Sequence, residues 1–394
     1  MVRTTSQNQA RGTARLRLIN TRLVLTTLRG VGGPVQLTEL ARMTSLTRPT
    51  VAQIVAGLEE RGRLQRYEPT AAAGRPAVRY GLAQDAAAVF GADAGRHRAV
   101  VEIASLDATI RARQERRHSH PLGDTLLALL GEMLRECLAE AGLAPGAVVA
   151  GTMASPGIVE QPSGRITLRP GLGDWDGTRI GSALGPHIGG AVTVENDANL
   201  AARAMCAVSG MPRTFLSLQW GQRLGAGVVV DGQVYRGPSG AAGELGALVV
   251  PDPATGELGL LEEVVRASRL PLVGGVPRVS TEELVARAEA GDEPSAGALR
   301  RGVDPLAAAV APICLSLDLR TVTISGAIAR SGPALIRAFQ DRLDAHGAVD
   351  VDCLLSPFHE DTVLRGAVGN AVDAGWEWLL ADADQVVAAP GRAR

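Results

Sequence analysis

Thr47-Arg48-Pro49-Thr50-Val51-Ala52-Gln53-Ile54-Val55-Ala56-Gly57-Leu58 decides how the N-terminal part of this 394-residue chain is read. Thr47 is a residue type that caps helices, and Pro49 falls in the first turn, where no backbone donor is lost. Val51, Ile54, Val55 and Leu58 follow at i, i+3, i+4 and i+7, the spacing of one buried stripe. Gly62 ends the helix. The opposite face shows Arg48, Thr50 and Gln53 near the N-terminal end. A recognition helix places side chains in this position against base edges in the major groove of duplex DNA. There arginine pairs with guanine and glutamine with adenine.

The flanks agree with that reading. Upstream, Leu18, Val24, Leu25 and Leu28 share one helical face, and Gly30, Gly32, Gly33 and Pro34 break it. Thr38 is expected to cap a short second helix with Leu40 and Ala41 inward, followed by a turn at Ser45-Leu46. Downstream, residues 64–67 and 78–82 read as two strands around Ala71-Ala72-Ala73-Gly74-Arg75-Pro76. That is a wing, with Arg75 at its tip in place to enter a minor groove, most favourably a narrow A·T-rich one. Residues 1–82 carry 13 arginines against 4 acidic side chains, whereas the remainder carries 27 against 37. A basic end on an acidic body is the electrostatic footprint of a nucleic-acid-binding domain joined to something else. A three-helix interaction module without DNA would need neither the basic excess nor the arginine-tipped wing.

Hydrophobic residues make up 46% of the chain, enough for a globular body. No apolar run approaches the ~18 residues of a membrane span, and the polar, arginine-containing N-terminus lacks a secretory core. Cys137, Cys206, Cys314 and Cys353 are far apart, which argues against disulfides and a zinc ribbon. The expectation is a cytoplasmic protein with no membrane partner and no metal.

Two later segments resemble each other. Residues 90–113 and 215–236 each read as strand, glycine turn, strand, tight turn, strand, and a helix-rich stretch follows each. Asp231-Gly232 is a strong hairpin signal and Leu106-Asp107-Ala108 a weaker one. Duplicated α/β halves suggest two similar lobes with a cleft between them. Glycine turns at such a cleft can hold phosphates on backbone N–H groups. Between the two halves, Val192-Thr193-Val194-Glu195 runs as a strand into Asn196-Asp197 and an alanine-rich helix. A carboxylate at a strand end suits general-base work on a hydroxyl. Equally, Asp197 would simply cap the helix.

Taken together these residues resemble a family. Asn20, the apolar positions between Leu37 and Leu58, and Gly74-Arg75-Pro76 look like the MarR-like winged helix of ROK-family transcriptional regulators. Ser155-Pro156-Gly157-Ile158-Val159, Trp175, Glu195-Asn196-Asp197-Ala198-Asn199, Gly225-Ala226-Gly227, Asp231-Gly232, Gly243-Glu244-Leu245-Gly246 and Glu262 resemble the ROK sugar-kinase fold, in the family's order. The resemblance implies an α/β, two-lobed, actin-like (ribonuclease-H-type) body behind a winged helix-turn-helix, assembled as a homodimer or homotetramer. The expected division is residues 1–83 for the winged helix, 88–198 for the first lobe and 199–370 for the second. A helix at about 371–382 would pack back on the first lobe. The resemblance further implies that Asn196, Glu244 and Glu262 hold sugar hydroxyls, and that Asp197 is the base of a kinase.

The departures from the family pattern point elsewhere. Where the family has a histidine that reaches sugar or zinc, this chain has Ala247. Pro253, Thr255 and Leu260 stand where its zinc cysteines belong. The first phosphate loop reads Asp93-Ala94-Gly95-Arg96-His97, and the second Gly221-Gln222-Arg223-Leu224-Gly225-Ala226-Gly227. Arg96 and Arg223 replace small residues and obstruct the close backbone approach that glycine permits, although an arginine can itself bind phosphate. One glycine, Gly326, remains of the usual pair near adenosine. The expected function is therefore a sequence-specific regulator of a double-stranded operator, a repressor with a degenerate kinase-like sugar sensor, without zinc or ATP. The alternatives are an ATP-dependent sugar kinase that also binds DNA, and a regulator with no sugar ligand.

Overall fold

A computed structural model describes residues 3–67, 78–95, 97–167 and 175–388. At the N-terminal end, α1 (Arg3–Val31) buries Val24, Leu25 and Leu28, and Gly32 follows in the left-handed region at φ 68°. β1 (Val35–Gln36) leads into α2 (Leu37–Thr44). This helix begins one residue before Thr38, and Gln36 in front of it makes no side-chain cap, so Thr38 sits in the first turn instead. Ser45 turns the chain at φ 55°. α3 (Arg48–Glu59) then starts as its sequence dictates, with the Thr50 N–H donating to Thr47 Oγ1 at 3.4 Å. Its stripe of Val51, Ile54, Val55 and Leu58 is buried, each side chain contributing about 1.5–3 kcal/mol. β2 (Leu64–Tyr67) and β3 (Arg79–Leu82) pair antiparallel, Leu64 opposite Leu82, and β1 adds to the far edge of β3. Arg75 and the expected wing tip lie outside the described residues, as does Arg96.

The body repeats one topology. β4 (Ala88–Ala94), β5 (Arg98–Ser105) and β6 (Ile110–Arg117) form an antiparallel meander. After α4 (Asp124–Ala141), β7 (Val148–Ser155) pairs parallel to β4. A small hairpin, β8 (Ile158–Glu160) and β9 (Arg165–Thr167), and α5 (Gly177–Leu184) then lead to β10 (Ala191–Asn196), parallel to β7. The sheet order is β10-β7-β4-β5-β6. α6 (Asp197–Met205) opens the second half. There β11 (Phe215–Trp220), β12 (Leu224–Val230) and β13 (Gln233–Tyr235) repeat the meander. Both central residues of the β12–β13 turn have positive φ, Asp231 at 51° and Gly232 at 77°, as the tightest hairpins require.

A hairpin of β14 (Val249–Pro251) and β15 (Leu258–Leu260) leads to helices α7 (Leu261–Val264), α8 (Leu270–Val273), α9 (Thr281–Glu289) and α10 (Glu293–Leu317). β16 (Thr321–Ser325), α11 (Pro333–Ala345) and β17 (Asp352–Leu355) complete the second sheet in the order β13-β12-β11-β16-β17. This is the same order as in the first sheet. α12 (Thr362–Ala388) ends the described chain.

The layers fix where a site can be. α4 and α5 cover one face of the first sheet, and α10 and α11 pack in the core of the second. On the inner sides, α12 packs on β4 and β7, whereas α6 packs on β11 and β12. The two inner helices then pack on each other, so the halves meet along α6 and α12. The winged helix rests on α12 as well. Its Val24, Leu25 and Leu28 share one continuous core with Val89 and Leu106 of the first half and with Val368, Ala371, Trp376 and Leu379 of α12.

Candidate nucleic-acid interface and cleft site

The recognition face follows from the burial of the other side of α3. With Val51, Ile54, Val55 and Leu58 inward, Arg48 and Gln53 are exposed and Thr50 is half-buried. Thr50 Oγ1 is 2.8 Å from Thr47 Oγ1, which ties the cap hydroxyls to each other. Ala52, Ala56 and Gly57 supply little bulk between the polar side chains, so a groove wall can come close. Two arginines that the sequence pattern did not single out flank this face. The guanidinium groups of Arg17 and Arg61 both reach the position where a side chain on Gly57 would stand, at 3.8 and 3.4 Å. Burial first, and then the neighbouring Arg17, lower the Arg61 pKa, while Asp382 and Glu60 oppose the shift.

The second candidate site lies where β10 hands over to α6. Asn196 is the capping residue: its Oδ1 accepts from the Asn199 N–H at 3.0 Å, and its Nδ2 donates to the Gly157 carbonyl at 2.9 Å. Asp197 is therefore the first helical residue and not the cap, and its Oδ1 accepts from the Ala198 N–H at 2.8 Å. Glu195 is buried and acts as a joint. It accepts from the Asn196 N–H, from Asn199 Nδ2, and from Arg236 Nε at 2.6 Å, which brings in the chain beyond β13.

Charge accumulates around Asp197. Burial pushes its carboxyl up to about 6, with Glu244 and Glu262 adding to the rise and Arg223 opposing it. Asp93, at the end of β4 in the other half, is pushed up to about 7 by burial and by Asp197. The structure thus brings Asn196, Asp197, Glu244, Glu262 and Asp93 to one place, with Arg223 beside them.

The glycines of the two loops do different work. A side chain on Gly95 would meet only the Arg98 carbonyl, in ordinary contact at 3.6 Å. A side chain on Gly225 would come within 2.8 Å of the Ala198 methyl. One on Gly227 would come within 2.5 Å of the Ala202 methyl. These two glycines let α6 lie on β12. In the β11–β12 turn the Gly221 N–H donates to the Arg223 carbonyl at 2.9 Å, and the Leu224 N–H donates to Glu262 Oε2 at 3.3 Å. Both of these N–H groups are thus bonded within the protein.

A zinc ion does not fit the segment where the resemblance would put one. Pro253, Thr255 and Leu260 offer no thiolate, and Ala247 offers a methyl group. Asp252 closes that hairpin instead. Its nearly buried carboxylate accepts from Arg269 at 2.7 Å and from the Ala254 N–H at 3.0 Å. Among the described residues no group of three or more His, Cys, Asp or Glu is placed to hold a metal ion. Burial pushes the Cys137 and Cys353 thiols up to about 12 and Cys314 to about 11, so none of the three is a ready thiolate. Among the described residues no helix is long and apolar enough to cross a membrane.

A helix-turn-helix that leaves its recognition face bare, carried on two lobes of one repeated topology, defines a DNA-binding transcription regulator with an actin-like body. Residues 89–372 match the ROK family, and residues 20–67 match the IclR helix-turn-helix domain. The chain belongs to the ROK family. It is 25% identical over 237 residues to the xylose repressor of Caldicellulosiruptor bescii, covering 59% of this chain and 58% of that protein. It is 28% identical over 243 residues to the glucokinase of Thermotoga maritima, covering 54% and 76%. Among solved structures, it superposes with a TM-score of 0.73 on a ROK-family transcriptional regulator described as a homologue of the E. coli MLC protein. That likeness covers 95% of this chain and 100% of the other at 20% identity. A ROK hexokinase from Thermus thermophilus gives 0.58 at 25% identity, over 73% of this chain and 99% of the hexokinase.

Proposed function

We propose that this regulator is a cytoplasmic repressor that reads its operator with Arg48, Thr50, Gln53 and Arg75 of a MarR-like winged helix. On this reading its kinase-shaped body senses a sugar and does not phosphorylate it. The observation that carries the reading is the β11–β12 turn, whose Gly221 and Leu224 N–H groups are already bonded within the protein. Asn196, Asp197, Glu244 and Glu262 form the polar floor for the sugar, because carboxylates and amides pair with neighbouring hydroxyls. A homodimer or homotetramer presents two winged helices to a palindromic site, as half-site geometry requires. The sugar acts by binding DNA-competent and DNA-incompetent arrangements with different affinity.

Asp197 favours a second reading, an active kinase, since a carboxyl raised to about 6 suits a general base. The experiment has two arms. Sites are selected from random duplexes, and affinity is then measured for selected and random DNA. Arg48→Ala and Gln53→Ala are expected to cut the preference for the selected site about tenfold or more, with binding to random DNA retained. Equal preference in wild type and variants removes the assignment. A coupled phosphorylation assay over hexoses, pentoses and amino sugars is expected to show no turnover. Turnover that disappears in Asp197→Asn establishes the kinase.

A further inference from the structure

Asp373 is the point at which three bodies meet. It lies on α12, which packs on the first sheet. Arg29, near the end of α1 in the winged helix, donates to Asp373 Oδ1. Arg203, in the last turn of α6 on the second lobe, donates to Asp373 Oδ2 at 2.6 Å. One carboxylate therefore joins the DNA-binding domain, the first lobe and the second lobe.

The surroundings turn this junction into a mechanical one. α6 begins at Asp197, in the cleft. Four residues into the helix, the Leu200 carbonyl lies where a side chain on Gly366 of α12 would be, 1.9 Å from it, so the two backbones touch with nothing between them. On its other side α12 is clamped to β4, where a side chain on Gly91 would come within 2.7 Å of the Val368 N–H. So close a contact on both sides transmits a displacement of α6 to α12. Beyond the clamp, the same helix carries ion pairs and cation–π contacts to the winged helix. Arg29 lies over Trp376 at 5.6 Å. Arg63 lies over Trp378 at 4.9 Å and donates to Asp382 at 2.9 Å.

We infer that Asp373 couples lobe closure to the seating of the DNA-binding domain. Arg29 and Arg203 each hold one oxygen of the same carboxylate, so a turn of α6 that withdraws Arg203 removes a neighbouring cation and leaves Asp373 to Arg29 alone. A turn that advances Arg203 loosens Arg29. Occupation of the cleft at Asp197 reaches α1 by this exchange, which rests on the reading of that cleft as a sensor.

The test uses the full-length chain and a double-mutant cycle read by hydrogen–deuterium exchange over residues 17–31 of α1. Asp373→Asn and Arg29→Ala are expected to speed exchange there about two- to fivefold, the range of a partly exposed ion pair. Arg203→Ala is expected to slow it, since Arg29 then holds the carboxylate alone, and to have no effect when Arg29→Ala is already present. The charge swap Arg29→Asp with Asp373→Arg, made in the Arg203→Ala background so that the new arginine faces no like charge, is expected to return exchange to that of Arg203→Ala alone, which separates loss of the pair from general damage. An Arg203→Ala effect that is absent, or equal in both backgrounds, overturns the coupling. Thermal shift of wild type with D-xylose and D-glucose reads the sensor assignment separately. It can fail while the cycle holds, and the reverse.

Discussion

At Asp93 several effects coincide. The carboxyl is buried, Asp197 and Asp361 add negative charge, and Arg98 alone answers them. The folded value of about 7 lies above the ordinary 3.8, so the native state holds a proton that the unfolded chain has released across that window. Stability from this residue is therefore greatest at low pH and is lost as pH rises from about 4 to 7. Asp93→Asn keeps the shape and abolishes the titration. Its melting temperature relative to wild type is expected to be higher at pH 8 than at pH 5 by about 1–2 °C. An equal difference at the two pH values removes the argument. The sequence alone left Asp197 between base and cap. The Asn199 N–H donates to Asn196, so Asn196 is the cap, and that bond is one no one-dimensional pattern contains.

At the scale of elements, α3 and the two meanders were legible because each carries its own instructions. Thr47, Pro49 and the Val51–Leu58 stripe specify a helix locally, and Asp231-Gly232 specifies a hairpin locally. α12 was legible only in part. The expected helix covered about 371–382, whereas it runs Thr362–Ala388. Val363, Leu364, Ala367, Val368 and Ala371 of its first half form one apolar stripe, but Thr362 and Gly366 beside it are buried too, so burial wraps further round the helix than the apolar pattern shows. Gly366 and Gly375 stand inside this helix because neighbours fill the space of a side chain. Gly366→Ala therefore tests the packing of α6 on α12. Although alanine favours helix by itself, the methyl group collides with the Leu200 carbonyl, and a loss of about 1–3 kcal/mol is expected from denaturant midpoints. A gain in stability contradicts the close crossing.

For the whole molecule the decisive quantity is where the charge sits. Arg17 and Arg61 flank the recognition face without reaching its base-reading end, so they are placed for phosphates. Arg17→Ala and Arg61→Ala are each expected to lower the slope of log affinity against log salt by about one and to leave base preference unchanged. A changed preference with an unchanged slope refutes that placement. The duplicated lobes and the DNA-binding end were visible in the sequence. How the end is seated on the body was not, because Arg29 and Asp373 stand 344 residues apart. That separation also has a meaning in time. The winged helix leaves the ribosome well before the helix it rests on. At about 5–20 residues per second, roughly 20–70 s pass between the two. During each round of synthesis the DNA-binding domain is thus made before the helix that moors it.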